Sequence, residues 1–178
     1  MYFPPILVTA RRHGASVFTG ERFDLNVIAI RRKDRMDDLA VAYRIDGRWV
    51  VEWFEANTTP TSKYLKRPIN VKGTAIIAAG FYKSAYALGM HRGRPAVIQV
   101  APLTVHRDNN LDEEPDTNTK TETGLFAINI HSGLGGDYSA GCILMDASGI
   151  SRLRTLMEAQ KTNGFGDRVS LTLLNGAR

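Results

Sequence analysis

Apolar and polar residues alternate over short runs that glycine, proline and Asp-Gly pairs keep interrupting, and this rhythm confines the chain to a mainly β architecture. Phe23, Leu25 and Val27 alternate with Asp24 and Asn26 before running into Ile28 and Ile30. Two strand-like runs, 39–45 and 48–54, flank Asp46-Gly47, a pair that tolerates the positive φ angles of a two-residue hairpin turn. Further strands are expected over 74–79, 85–90, 96–100, 103–107 and 125–131. The segment 57–71, with Pro60, Pro68 and three basic residues, reads as a long surface loop. Trp49 and Trp53 alternate with Val51 and are expected in the core.

One segment has helical periodicity. From 147 to 161, Ile150, Leu153 and Met157 recur at three- and four-residue intervals, with Leu156 beside them. Asp146 or Ser148 is placed to cap its start, and Gly164 lies just past its end. A closing strand follows, with Val169, Leu171 and Leu173 on one face.

A single domain is the expectation for 178 residues, 43% of them hydrophobic, enough to bury a core without metal or disulfide staples. Residues 1–22 are expected to be a loosely packed N-terminal extension. The extension opens apolar, with two prolines, and Arg11 and Arg12 come after that stretch. A secretory signal has the reverse order. The chain is therefore expected to be made in the cytoplasm without a cleaved signal, any work in the periplasm or cell wall depending on lysis or a secretion system. No apolar run approaches membrane-spanning length.

The net charge of +5 conceals an asymmetry. Residues 108–122 hold six acids and one lysine, leaving 22 basic and 12 acidic residues elsewhere, a remainder of +10. A basic body suits an anionic partner without naming it. The acidic stretch reads as a solvated loop. Asp108, Asn110 and Asp112 match the opening of an EF-hand, but Glu113 replaces the required glycine and Thr119 the closing glutamate, so calcium is not expected there.

Chemistry concentrates in residues 126–145, where an apolar run delivers His131, a glycine-rich loop follows, and Cys142, the only cysteine, comes eleven positions later. A thiol becomes a good nucleophile as thiolate, and a neighbouring imidazole is the common means of making it one. Gly141 permits a tight turn that would let backbone N–H groups converge as an oxyanion hole. The competing reading is a small buried hydrophobe before Ile143, Leu144 and Met145. Tyr138 is placed to line a groove, and His91, in a Met-His-Arg-Gly-Arg turn, to touch a substrate; a structural tyrosine and an exposed turn residue are the plainer readings. Asn129 and Ser139 join them as candidate substrate contacts.

His131-Ser132-Gly133, the loop, and Ser139-Ala140-Gly141-Cys142-Ile143 resemble the signature of the L,D-transpeptidase catalytic domain. The resemblance implies a β-sandwich with one late helix and an enzyme acting on peptidoglycan stem peptides at the diaminopimelate–D-alanine bond. It implies that Cys142 attacks the carbonyl, that His131 takes and returns the proton, that Ser132 orients His131 through its carbonyl, and that amides near Gly141 and Cys142 hold the oxyanion. The acyl-enzyme then passes to an amine or to water, without a cofactor. Two positions depart from the family pattern: Ala140 stands where a histidine is usual, and Leu144 where arginine or asparagine is. The short loop is similar to that of type VI secretion effectors and phage-encoded relatives, which implies an immunity or delivery protein as a further partner.

The alternative is a non-catalytic cell-wall or phage-particle module on the same fold, motivated by Ala140 and Leu144. Papain-like enzymes place cysteine before histidine, and no histidine follows Cys142. Zinc peptidases lack support, since no His-Glu-x-x-His is present. Nucleic-acid binding has no recognisable motif behind it.

Overall fold

The computed structural model describes residues 2–33, 36–136 and 139–176. In chain order the elements are α1 (Pro5–Arg12), β1 (Asn26–Arg31), β2 (Asp37–Ile45), β3 (Arg48–Asn57), α2 (Ser62–Lys66), β4 (Thr74–Ile77), β5 (Gly80–His91), β6 (Arg94–Gln99), β7 (Leu103–Asp108), β8 (Thr121–Gly124), β9 (Ile130–Ser132), β10 (Ile143–Met145), α3 (Ala147–Thr162) and β11 (Arg168–Asn175). The protein is mainly β, with two sheets and one late helix, as expected. The larger sheet closes on itself in the order β1-β11-β5-β6-β9-β10-β3-β2, and the smaller runs β4-β7-β8.

The β2–β3 hairpin turns at Asp46 and Gly47, with φ of 49° and 76°, the two positive angles that this pair was expected to supply. Arg92 and Gly93 repeat the device between β5 and β6, with φ of 49° and 78°. Val27 and Ala29 point into the main core while Ile28 and Ile30 join a second cluster. A strand buried on both faces explains why β1 reads as a continuous apolar run.

The N-terminal segment is not loosely packed. Pro4 and Pro5 initiate α1, since proline at the first helical position loses no needed N–H. Ile6, Leu7 and Ala10 then cover Ile28, Ile30, Ala40, Ala42 and Leu174 on the outside of β1, β2 and β11. Burying two large aliphatic side chains contributes roughly 3–6 kcal/mol before the cost of ordering the helix. Trp49 packs beside Phe3 on this face, with ring centroids 5.8 Å apart. Trp53, four residues on, is not among the residues packed on this cluster and is 53% exposed, contrary to its expected core position.

Helix α3 follows its sequence pattern closely. Asp146 caps it by accepting the Gly149 N–H at 2.6 Å, and Ile150, Leu153, Leu156 and Met157 enter the main core. Arg152 clamps Glu52 of β3 through two bonds of 2.9 and 2.8 Å. Tyr43 donates to the same carboxylate, and burial with that contact pushes its phenol up to about 12.

A buried polar knot joins the two sheets. Arg31 donates to Thr58 Oγ1, to the Thr58 carbonyl and, at 2.9 Å, to the Ile77 carbonyl of β4. Asp37 accepts from the N–H and hydroxyl of Thr58, both at 2.7 Å. The segment 57–71, expected as a loop, accordingly has a fixed start and contains the single turn of α2.

Candidate active site

Strands β9 and β10 lie parallel, with Ile130 opposite Ile143 and His131 opposite Leu144. That register places the residue before β10, Cys142, beside Asn129, which precedes β9. The Asn129 N–H points at the Cys142 sulfur at 3.4 Å. The expected strand over 125–131 is shortened to its last two residues plus Ser132, because Ala127 takes a φ of 55° and breaks the extended path. Phe126 and Ile128 donate instead to the Gln99 side-chain carbonyl, at 3.0 and 3.1 Å.

His131 donates from Nδ1 to the Ser132 carbonyl at 2.8 Å. A carbonyl can only accept, so the proton of the neutral ring sits on Nδ1 and Nε2 is left as the basic nitrogen. The contact between His131 and the Ser132 carbonyl is the one on which the implied orienting role would depend. His91 comes from the end of β5, forty residues upstream, and stacks on His131 with ring centroids 4.3 Å apart and planes 6° from parallel. The Gln99 N–H fixes the Asn129 amide by donating to its Oδ1 at 2.9 Å. The Asn129 NH2 therefore faces His91 Nδ1, also at 2.9 Å, and the neutral His91 carries its proton on Nε2. Burial, the neighbouring His131 and Arg92 all hold the His91 pKa below its ordinary value. Asn129, expected to touch substrate, instead organises the site: its side chain is held on both ends and is 8% exposed.

A ring nitrogen from each histidine and the Cys142 sulfur lie within 4.8 Å of one another. Three such ligands invite a soft metal, but the arrangement does not suit one. The stacked rings direct their lone pairs in nearly parallel planes, so a tetrahedral ion requires one ring to turn. His91, whose Nδ1 accepts from Asn129, also carries its proton on Nε2 and offers no free lone pair there. An acid–base pair beside a thiol fits the geometry better.

The thiol at rest is not activated. Burial pushes the Cys142 pKa up, and the Asn129 N–H and the charge of Arg92 counter that only in part. Its closest acceptor is the Ala127 carbonyl at 3.7 Å.

The loop before Cys142 departs from the expected oxyanion arrangement at one donor. The Gly141 N–H is taken by Ser139 Oγ at 3.2 Å. That hydroxyl in turn donates to the Cys142 carbonyl at 2.6 Å, closing the loop on itself. Ser139 is fully buried and does not reach a substrate; its own carbonyl accepts the Thr61 N–H at 2.9 Å. Among the described residues no acceptor takes the Cys142 N–H, which leaves that amide as the donor beside the sulfur. Gly141 is required for shape: its φ is 136°, and a Cβ there would stand 2.7 Å from the Ala75 carbonyl oxygen. Ala140 is half-buried, and Leu144 is wholly buried, its core position explaining an apolar residue there. Tyr138 lies outside the described residues.

The site opens into a groove of about 500 Å³ lined by His91, Arg92, Arg94, His131, Ser132 and Gly133. A second hollow of about 530 Å³ adjoins it, sharing Arg94 and Ser132 and continuing along Ala147, Ile150 and Arg154 of α3. The acidic segment forms no comparable site. Asn110 donates its amide protons to Asp112 and Asp116 at 2.8 and 3.1 Å, occupying with NH2 the place where a cation would sit. No helix of the described residues is long and apolar enough to cross a membrane. The chain matches no family model, no curated protein and no solved structure.

Proposed function

We propose that the protein is a cysteine acyltransferase or peptidase acting on peptidoglycan stem peptides, with Cys142 as nucleophile and His131 as its base. The observation that carries this reading is the gathering of the Cys142 sulfur, His131 and His91 within 4.8 Å, with the two histidines also lining a groove. When a stem carbonyl enters, the Cys142 proton passes to His131 Nε2 as the S–C bond forms. The imidazolium that results is held by the Ser132 carbonyl. The Cys142 N–H donates to the developing oxyanion; one such donor supplies about 3 kcal/mol of transition-state stabilisation. The C–N bond then breaks, D-alanine leaves with the proton from His131, and water or an amine takes the acyl group by the reverse transfers. His91 stays neutral against His131, because two stacked imidazolium rings would repel.

The test is muropeptide analysis of sacculi incubated with wild type and with Cys142→Ala. Loss of D-alanine release, exchange or cross-linking in the variant alone supports the reading. Identical product profiles sink it. The raised thiol pKa and the engaged Gly141 amide favour, as a second reading, a wall-binding module without turnover. Sacculus binding that survives Cys142→Ala, with no change of stem peptides by either protein, would select it.

A further inference from the structure

We propose that Arg92 and Arg94 form a carboxylate-recognition site at the mouth of the groove, selecting substrates with a free carboxylate close to the bond attacked. This rests on the reading of Cys142 as a nucleophile and names what its site selects. Both arginines sit at the tip of the β5–β6 hairpin, separated only by Gly93, and both line the groove with His91 and His131. Arg94 is the ladder partner of His91, so its backbone is fixed relative to the stacked imidazoles. Neither guanidinium has an ion-pair or hydrogen-bond partner among the described residues, and neither does any acid line this groove.

Three half-buried arginines elsewhere in the chain meet carboxylates. Arg32 meets Asp38 at 2.6 Å, Arg44 meets Glu21 at 2.6 Å, and Arg107 meets Glu122 at 2.9 Å. Arg92 and Arg94 are exposed at the groove and meet no carboxylate there, so an anion brought by the ligand can pair with both. The tip is also held in place from behind. Arg154 of α3 donates to the Gly89 and Ala96 carbonyls, which face each other in the hairpin. Gly89 lets Ile98 pack tightly there, since a Cβ at 89 would come within 2.6 Å of that side chain. A rigid hairpin presents planar forks that a carboxylate can bridge. The charge of Arg92 already acts on Cys142 and on His91, so an anion bound there lies within electrostatic reach of the thiol. Two arginines at one hairpin tip make a short cationic site, which a carboxylate-bearing small peptide fits better than the long basic track a nucleic acid needs.

The experiment compares alkylation of Cys142 by iodoacetate and by iodoacetamide, which differ in a carboxylate against an amide. Wild type, the double variant R92Q/R94Q and the charge-conserving R92K/R94K are measured, with mass spectrometry locating the adduct. Any change in thiol reactivity acts on both reagents, so their rate ratio isolates recognition of the carboxylate. The iodoacetate-to-iodoacetamide ratio is expected to fall about three- to tenfold in R92Q/R94Q, to be largely kept in R92K/R94K, and to shrink in wild type as salt rises. An unchanged ratio in R92Q/R94Q overturns the proposal. If the thiol resists both reagents, N-acetyl-D-alanine and its amide are titrated instead, followed on the histidine ring protons. Preference for the acid that disappears in R92Q/R94Q supports the site; equal response to acid and amide overturns it. An arginine-dependent ratio with no change to muropeptides would remove the peptidoglycan reading and leave the carboxylate site standing. Muropeptide turnover with an arginine-independent ratio would do the opposite.

Discussion

Replacing Gly141 by alanine tests how the loop holds Cys142, independently of any substrate. The φ of 136° at this position lies where side chains are strained, and the added Cβ would stand 2.7 Å from the Ala75 carbonyl oxygen, a backbone atom that cannot swing aside. The conformational cost alone is about 1–3 kcal/mol, and relieving the overlap adds a cost of the order of 1–3 kcal/mol. A central value of about 4 kcal/mol corresponds to a fall in Tm of roughly 8–16 °C for a chain of this size. Gly133 supplies the control, because its φ is 146° but a Cβ there meets nothing closer than Leu144 at 3.6 Å. Gly133→Ala should therefore show the backbone cost without the overlap. The assay is thermal unfolding by circular dichroism, together with the rate at which iodoacetamide labels Cys142. Gly141→Ala should melt several degrees below Gly133→Ala and label at an altered rate. Equal melting of the two variants would refute the argument that the Ala75 carbonyl limits this position.

Ser139→Ala removes the hydroxyl that joins the Gly141 N–H to the Cys142 carbonyl and should cost about 1–3 kcal/mol in urea unfolding, with both groups left unpaired in a buried place. Arg31→Met strips the cation from the Thr58 and Asp37 knot and should cost about 3–5 kcal/mol by the same measure, because Asp37 stays buried without it. The iodoacetamide rate should climb into the alkaline range, since burial raises the thiol; a plateau below neutral pH would contradict that. For His91 the folded pKa is depressed, so the unfolded chain binds the proton more readily. Its stability contribution is present above the unfolded value of 6.5 and is lost as pH falls towards the folded one. His91→Gln should therefore flatten the decline of Tm on acidification through that window, and an unaltered slope would count against it.

Much of the fold is visible in the chain because its signals are local. The alternation of Leu39, Val41 and Tyr43, the Asp46-Gly47 turn and the three-and-four spacing of Ile150, Leu153 and Met157 each depend on a few adjacent residues. Helix α1 is hidden because Pro4 and Pro5 resemble breakers, although proline is tolerated in a first helical turn. Trp53 misleads since alternation marks a face without showing how far its cover extends, and the cluster under α1 takes in Trp49 and Val51 but not Trp53. In the site, the order of His131 and Cys142 is legible, and so is the need for Gly141. The remainder depends on register. Only the meeting of the β5–β6 hairpin with β9 brings His91 onto His131. Only the folded loop shows that the Ser139 hydroxyl takes up the Gly141 amide, a donor that the tight turn at glycine was expected to free for catalysis. The signal available in advance was the Met-His-Arg-Gly-Arg turn, whose two positive φ residues set where His91 and Arg94 face one another.

The closed order of the larger sheet bears on how the protein behaves in concentrated solution. A ring leaves no strand without neighbours on both sides, although β3 meets β10 only at Ala56 and Asn57 and β6 meets β9 only at Val97. The hazard of a second chain extending an edge falls to β4 and β8, the margins of the smaller sheet. Strand β8 is four residues long, and its Glu122 is engaged with Arg107 and Lys72. Shortness and charge are what discourage recruitment at such a margin. A hydrophobic replacement of Glu122 is therefore the change on β8 that would invite strand recruitment and fibrous growth.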